Sequence, residues 1–521
     1  MDRKGGNETQ ADEVLDDKSL ESSSTSSSAD PKESVVANEL GPKRALRKQC
    51  EMLRRWNWYR KGIRESEHSK QWDEEQNQNS KLSELDAIHM PAIWVAELYT
   101  PSTVEGLING VRDLGWNESY RMRKDLGGWM NDVRAGRSAG WISLGLVARR
   151  DSKNFLKDRV ADLPRGVRAA LPVLLSITPS ITAFVIVFIF EDDVAGSLQT
   201  VLRSDFVSET RRDSRLRFWH VINFILTGKS SEYMGYTTQR PDDLRRSLAS
   251  QKVDALEEMC IRWVSDKVPG VFSLKSGSFP TAVLYVTEQE QPMSSEEVYI
   301  PAWEAFGLNK PFEVWESLGW PWAKMRLPSY QEKGKKRLVF ACRRRDALTE
   351  GSKMYHEPKS NWTLSHRADE RCRGLLARWS VTCLLDSYYE DIAELRDQSA
   401  RDGEYRAIRD LKRLRSLART KLFDIGVCTQ EIEDFTRSKI SYNYSATAMK
   451  LNGSAGVDFL DNLRRSQAAR AKQVRRDADL LRETLALSSN LSQTIANIRI
   501  QWFVVALAVI SIVVALWAAL K

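Results

Sequence analysis

The chain has 521 residues, 28% of them charged and 42% hydrophobic, with a mean hydropathy of -0.44. That balance excludes a polytopic membrane protein, a collagen-like fibre, a wholly disordered chain and a small disulfide scaffold, while the length allows roughly two to four domains. The formal charge of +8 averages unlike parts: ten acidic against four basic side chains leave residues 1–40 at −6, so the remainder carries +14.

Residues 1–40 hold the serine run Ser22–Ser28, broken by Thr25, and no aromatic residue. Such a segment buries too little apolar surface to offset its ordering entropy, so it is expected to be a disordered acidic tail. It lacks a basic start followed by an apolar stretch and is not read as a secretory signal. Cys50, Cys260, Cys342, Cys372, Cys383 and Cys428 form no CxxC pair, and free thiols are expected.

Residues 41–88 read as a basic helix and a polar linker. Basic side chains over 41–66 interleave with Trp56, Trp58 and Tyr59. They mark a solvated helix whose aromatics pack on the next domain, or a surface for anionic lipid or nucleic acid; the first reading is preferred. The polar stretch 67–88 reads as the linker.

An α/β domain follows over 89–270. Ile93–Tyr99 reads as a strand, and a helix opened by Pro101-Ser102-Thr103 runs to about Leu114. Trp141–Val147 is a second strand. Ala169–Phe190 is uncharged for 22 residues, long enough to cross a bilayer. Pro172 and Pro179, the polar centre Thr178-Pro179-Ser180 and many β-branched residues point instead to a hairpin of strands 171–178 and 181–190. Helices are expected near 192–203, 212–227 and 241–267. This order predicts a mixed sheet with helices on one side, loosely a split βαβ layout. Residues 271–350 are β-rich, with strands near 281–287, 312–316, 323–328 and 337–342, completing the same sheet or forming a second one.

Residues 351–456 form a helical region, with helices at 365–399, 403–423 and 428–440. A membrane-proximal helix then covers 457–501. Ala471, Val474, Ala478, Leu481 and Leu485 step by three and four, a short coiled-coil seam that fits self-association or packing on the preceding helices.

Residues 502–520, WFVVALAVISIVVALWAAL, carry no charge, with Ser511 the lone hydroxyl and Trp502 and Trp517 near the ends. At about 1.5 Å per residue this is a transmembrane helix with interfacial tryptophans. Arg464, Arg465, Arg470, Lys472, Arg475, Arg476, Arg482 and Arg499 precede it; Lys521 follows. The positive-inside rule then places the bulk of the chain in the cytoplasm and the C-terminus across the membrane, inserted after translation as a tail anchor. The fold class expected is α+β: a mixed-sheet α/β cytoplasmic domain, an α-helical region and one transmembrane helix.

Catalytic motifs are sparse. Gly228-Lys229-Ser230 ends like a phosphate-binding loop, but Asn223 stands where that loop needs glycine. His356-Glu357 runs into Pro358, and His356 and His366 lack further ligands at zinc spacing. Glu191-Asp192-Asp193 follows a central strand. Acids there hold Mg²⁺ in some α/β enzymes, but a helix cap is the preferred reading. They are the weak catalytic candidates. Trp315, Trp320 and Trp322 form a core or a stacking platform. The eight basic residues between Arg401 and Lys421 would meet anionic headgroups if the membrane is near. No cofactor is indicated.

The order of a soluble α/β part, long helices and a membrane segment resembles CorA-type magnesium channels. Those carry two membrane helices with Gly-Met-Asn between them; this chain offers one helix and no Gly-Met-Asn. The expected function is a membrane-tethered module that binds or senses a partner or ligand. Its expected partners are the lipid bilayer, anionic headgroups and a second copy through the terminal helix; nucleic acid is not favoured. A membrane-tethered enzyme acting on a phosphate-bearing or nucleic-acid ligand is the alternative, and a subunit of an oligomeric channel a further one.

Overall fold

Strand β1 (Ile88–Tyr99) is the middle of the fold: eleven of its twelve residues are buried, on both faces. In the computed structural model the described residues are 70–520 together with Glu51 and Arg54, apart from 118–124, 138–139, 151–157, 213–235, 276–278, 295–298, 310–312, 329–334, 348–359, 402–407, 445 and 453–455. The tail 1–40, most of the basic segment 41–66, and Gly228-Lys229-Ser230 and His356 lie outside them. So does the helix expected at 212–227 beyond Arg212, itself the end of a strand.

The elements around β1 follow in chain order. Helix α1 (Lys70–Ser80) precedes it; α2 (Val104–Asp113) and α3 (Leu126–Arg134) follow. Strands β2 (Trp141–Ser143), β3 (Val147–Arg149), β4 (Arg159–Ala161), β5 (Val167–Ser176) and β6 (Thr182–Phe190) come next. Then come α4 (Asp192–Ala195), α5 (Leu198–Arg203), the ribbon β7 (Glu209–Arg212) and β8 (Tyr236–Gln239), and α6 (Pro241–Lys267). Strands β9 (Pro280–Thr287), β10 (Val314–Ser317), β11 (Trp320–Arg326) and β12 (Lys336–Arg343) lead into α7 (Arg344–Ala347). The helical part is α8 (Asn361–Arg401), α9 (Ile408–Arg437), α10 (Lys439–Asn443), the short β13 (Lys450–Leu451) and α11 (Phe459–Leu520).

Eleven strands form one mixed sheet in the order β13-β10-β11-β12-β9-β1-β6-β5-β3-β4, with β2 also on β5. The β-rich stretch 271–350 therefore completes the sheet of the preceding segment. Its links β12·β9 and β3·β4 are parallel; the other pairings in the sheet are antiparallel.

The apolar run 169–190 is the hairpin β5–β6, not a membrane helix. Its pairing runs from Val167↔Phe190 to Ser176↔Thr182, with Thr178-Pro179-Ser180 in the turn. All nine residues of β6 are buried, as expected of a central strand covered on both faces.

Helices cover both faces of the sheet, correcting the one-sided layout. Alternate residues of a strand point to opposite faces. Trp94 Nε1 donates to Asp369 of α8 at 2.9 Å. Tyr99 OH, on the other face, donates to the Val268 carbonyl just after α6, and Thr281 on that face bonds Glu257 of α6. The expectation failed because α8 lies beyond 350, in a segment read as a separate helical region.

Three element boundaries also differ. The linker 67–88 contains α1, which docks through polar rather than apolar side chains. Asn77 exchanges bonds with the Phe206 backbone, and Asp73 accepts from Ser208. Buried Arg245 donates to Asn77 and Ser80. A polar helix held this way shows no hydrophobic period. Strand 141–147 breaks into β2 and β3 at Gly145, whose φ of 89° disrupts the extended backbone. The helices expected at 403–423 and 428–440 are one helix, α9, followed by one turn, α10.

Buried polar groups join the helices. Gln467 of α11 donates to the Arg378 carbonyl and Thr382 hydroxyl of α8 and accepts from Tyr442 of α10. Arg378 donates to the Tyr442 and Tyr444 carbonyls, and burial pushes its pKa down to about 10.

Candidate functional site

Three places in the fold are candidates for a functional site. The first is the end of the sheet where β6 finishes. Glu191 lies 3.5 Å from Arg149, Asp193 accepts from the Val194 amide, and Asp192 accepts from Asn361 Nδ2 at 2.7 Å. Arg344 reaches Asn361 at 2.9 Å and Glu288 at 2.6 Å. Glu288 and Gln199 lie 3.3 Å from His89 Nε2. Burial, reinforced by the Arg344 charge, lowers the pKa of His89. Asp192 thus belongs to a network tying β1, β9, α7 and the start of α8. Its acids hold structural partners, and Glu191, the residue before α4, makes no side-chain cap bond. The sequence could not reveal this grouping, because its members are spread from residue 89 to 361.

The second place was not found in the sequence. A cavity of about 680 Å³ opens past the other end of β1. Thr100, Ser102 and Thr103 enter from the turn after β1, Val271, Leu274 and Lys275 from the loop after α6, Tyr388, Glu390, Asp391 and Glu394 from α8, and Thr420, Lys421 and Asp424 from α9. Asp391, buried, pairs with both Lys275 and Lys421, the latter at 2.9 Å. Burial opposes the Lys421 charge, but its bonds to Asp391 and Glu394 outweigh that and raise its pKa. Asp424 accepts from Thr100 Oγ1 at 2.7 Å and from the Ser102 hydroxyl. Lysines and carboxylates lining one cavity beside Val271 and Tyr388 suit a small polar ligand carrying both charge signs. The signals available in sequence were Asp391 and Asp424 on helices; only the fold brings them to Lys275.

The third place is α11. Its first half is part of the core: Phe459, Leu460, Ala471, Val474 and Ala478 are buried. The seam residues therefore pack on the chain's own helices, with Leu485 partly buried beside them. Four of the basic residues that precede the apolar stretch are engaged there too. Arg464 donates to the Thr436 carbonyl, Arg470 to Asp386, Arg475 to Gln430 and Arg482 to the Leu422 carbonyl. Arg465, Lys472, Arg476 and Arg499 are exposed.

Asn497–Ala518 is long and apolar enough to cross a membrane and is 0% buried, starting five residues before the expected Trp502. Trp502 and Trp517 are 68% and 63% exposed. Ser511 donates to the Leu507 carbonyl at 2.9 Å, satisfied within its own helix.

The tryptophan cluster is core. Trp315 and Trp320 are buried; Trp315 packs edge-on against Phe459 at 5.2 Å and Trp320 against Trp322 at 5.2 Å. Arg367 stacks over Trp322. The five described cysteines are free and buried. Neither family models, nor curated proteins, nor solved structures give a match to this chain.

Proposed function

We propose that the chain is a single-pass, bilayer-anchored protein whose α/β unit and helices face the cytoplasm and bind a ligand or partner there. One observation carries this reading: α11 is at once a core helix of the folded unit and, over Asn497–Ala518, an apolar helix with no protein cover. A largely apolar helix of 22 residues left bare in water would expose a patch far larger than soluble proteins carry. The arginine-rich approach to the span supports the cytoplasmic side. The cavity beside Asp391 supports a binding role. The enzyme alternative has less support, since Glu191, Asp192 and Asp193 hold structural partners. A channel lined by this helix also has less, since Ser511 is satisfied internally.

The test is alkaline carbonate extraction of membranes, followed by protease treatment of sealed vesicles. The full chain is expected to resist extraction, and external protease on cytoplasmic-side-out vesicles is expected to spare only a fragment around the span. Extraction by carbonate, or a protected α/β unit, would overturn the reading.

A further inference from the structure

We propose that the cavity beside Asp391 binds a basic amino acid: a ligand with an α-carboxylate, an α-ammonium and a second cationic group on its side chain. The proposal rests on the binding role given above and names the ligand class.

The wall keeps some hydrogen-bonding capacity that the chain does not use. An ammonium group has three donors. Lys275 spends all three, on Asp391 and on the Ser387 carbonyl and hydroxyl. Lys421 spends two, on Asp391 at 2.9 Å and on Glu394 at 3.4 Å, and keeps one. Asp424 is only 6% exposed and accepts through Oδ2 alone, from the Thr100 hydroxyl at 2.7 Å and from the Ser102 amide and hydroxyl. Its Oδ1 takes no hydrogen bond from the described residues, is not sealed from solvent, and belongs to a side chain that lines the cavity.

Residues 421 and 424 are three apart on α9, so their side chains are neighbours on one face. Lys421 pairs with Asp391 and Glu394 rather than with Asp424. A spare ammonium N–H thus stands beside a spare carboxylate oxygen. The head group of an α-amino acid carries the complementary pair on one carbon: its carboxylate suits Lys421 and its ammonium suits Asp424 Oδ1.

Charge then sets the side chain of the ligand. The wall holds Lys275 and Lys421 against Glu390, Asp391, Glu394 and Asp424, formally two cations against four carboxylates. A zwitterionic head group leaves that excess of two negative charges unchanged. Glu390 is exposed and forms no ion pair among the described residues. It lies four residues before Glu394, on the same face of α8, where a second cation on the ligand would meet both. Val271 and Tyr388 give the wall apolar surface for a methylene stem. A ligand with a second carboxylate would meet like charge, and one with no carboxylate would leave the Lys421 donor unused. The volume of about 680 Å³ falls within the roughly 300–1,000 Å³ of small-ligand sites.

The test is isothermal titration calorimetry of the full chain in detergent with L-arginine, L-lysine, L-citrulline, agmatine and L-glutamate. Arginine and lysine are expected to bind at one site. Agmatine, which lacks the carboxylate, should bind about tenfold more weakly than arginine. Citrulline, whose side chain is neutral, should bind several-fold more weakly, and glutamate not measurably. Asp424→Asn should weaken arginine about tenfold. Lys421→Gln should remove the preference for arginine over agmatine, a readout that a purely structural role would not move. Glu390→Gln changes an exposed side chain and should remove the preference for arginine over citrulline, which keeps the test decisive where Asp424→Asn fails to fold. No binding of arginine or lysine, equal affinity for arginine and agmatine, or glutamate bound as tightly would each overturn the proposal. So would either preference surviving its variant, or unchanged arginine affinity in a folded Asp424→Asn chain. Arginine binding by a chain that carbonate releases from membranes would overturn the anchor alone. A retained chain that binds citrulline or glutamate in preference keeps a binding role and overturns this proposal alone.

Discussion

Glu97 shows at the scale of one residue how the fold holds a carboxyl group in its centre. It lies on β1 with no exposed surface and accepts from the Leu98 and Phe272 amides on one oxygen and from the Ser273 amide and hydroxyl on the other. Burial disfavours the carboxylate, the four donors favour it, and burial wins: its pKa is pushed up to about 7. The folded state therefore holds this proton where the unfolded chain, near 4.5, has lost it. Stability from this group is fully present below about pH 4.5 and falls as pH rises to about 7. Glu97→Gln should remove that part of the slope. Urea midpoints of both proteins at pH 5 and pH 8 would read it; identical pH dependence in the two would refute the assignment. In the sequence Glu97 is one polar position in an apolar strand. Its partners lie some 175 residues away, which hid its role.

At the scale of elements, acids on α9 fasten the loops at one end of the central strands. Glu431 accepts from the Thr178 hydroxyl at 2.6 Å and from the Ser180 amide and hydroxyl at 2.8 and 2.7 Å. Asp424, two turns earlier, holds Thr100 and Ser102. The polar centre of the 169–190 run, which separated hairpin from membrane helix in the sequence, is thus also the docking point of α9. Glu431→Ala leaves three donors without their acceptor and should cost about 2 kcal/mol in chemical denaturation; no loss would mean that water replaces the carboxylate. Helix α2 packs on the end of α6 through glycine. A methyl at Gly110 would sit inside contact distance of the Lys267 carbonyl and Val268, and one at Gly106 against the Pro269 carbonyl. Gly110→Ala should destabilise by about 1–3 kcal/mol despite its better helix propensity, because the obstacle is backbone. A melting temperature equal to or above wild type would show that α2 can shift aside.

For the whole molecule, the question is where the folded unit ends and the apolar stretch long enough to cross a membrane begins, since one helix supplies both. Leu463, Gln467, Ala471, Val474, Ala478 and Leu481 are buried against the other helices, whereas Ile498 to Ala518 are exposed. A chain stopped after residue 496 should stay in solution with native circular dichroism and a cooperative melt. A chain stopped after residue 458 would bare the apolar faces of α8 and α9 and should aggregate. A soluble, cooperatively melting 1–458 chain would show that α11 is not part of the core.

The sequence by itself determined the apolar terminal helix, the 241–267 helix, the hairpin at 169–190 and the mixed α/β character. Each rests on a pattern local to a few tens of residues: an uncharged run of bilayer length, an N-terminal Pro-Asp-Asp, and prolines with β-branched residues around a polar turn. Tertiary structure alone decided that 271–350 joins the same sheet, that helices cover both its faces, and that the seam of α11 is spent within the chain. It alone brought Lys275, Asp391, Lys421 and Asp424 around one cavity. These depend on contacts between segments far apart in the chain, where the energy lies in the pairing of surfaces and charges rather than in the periodicity of either partner.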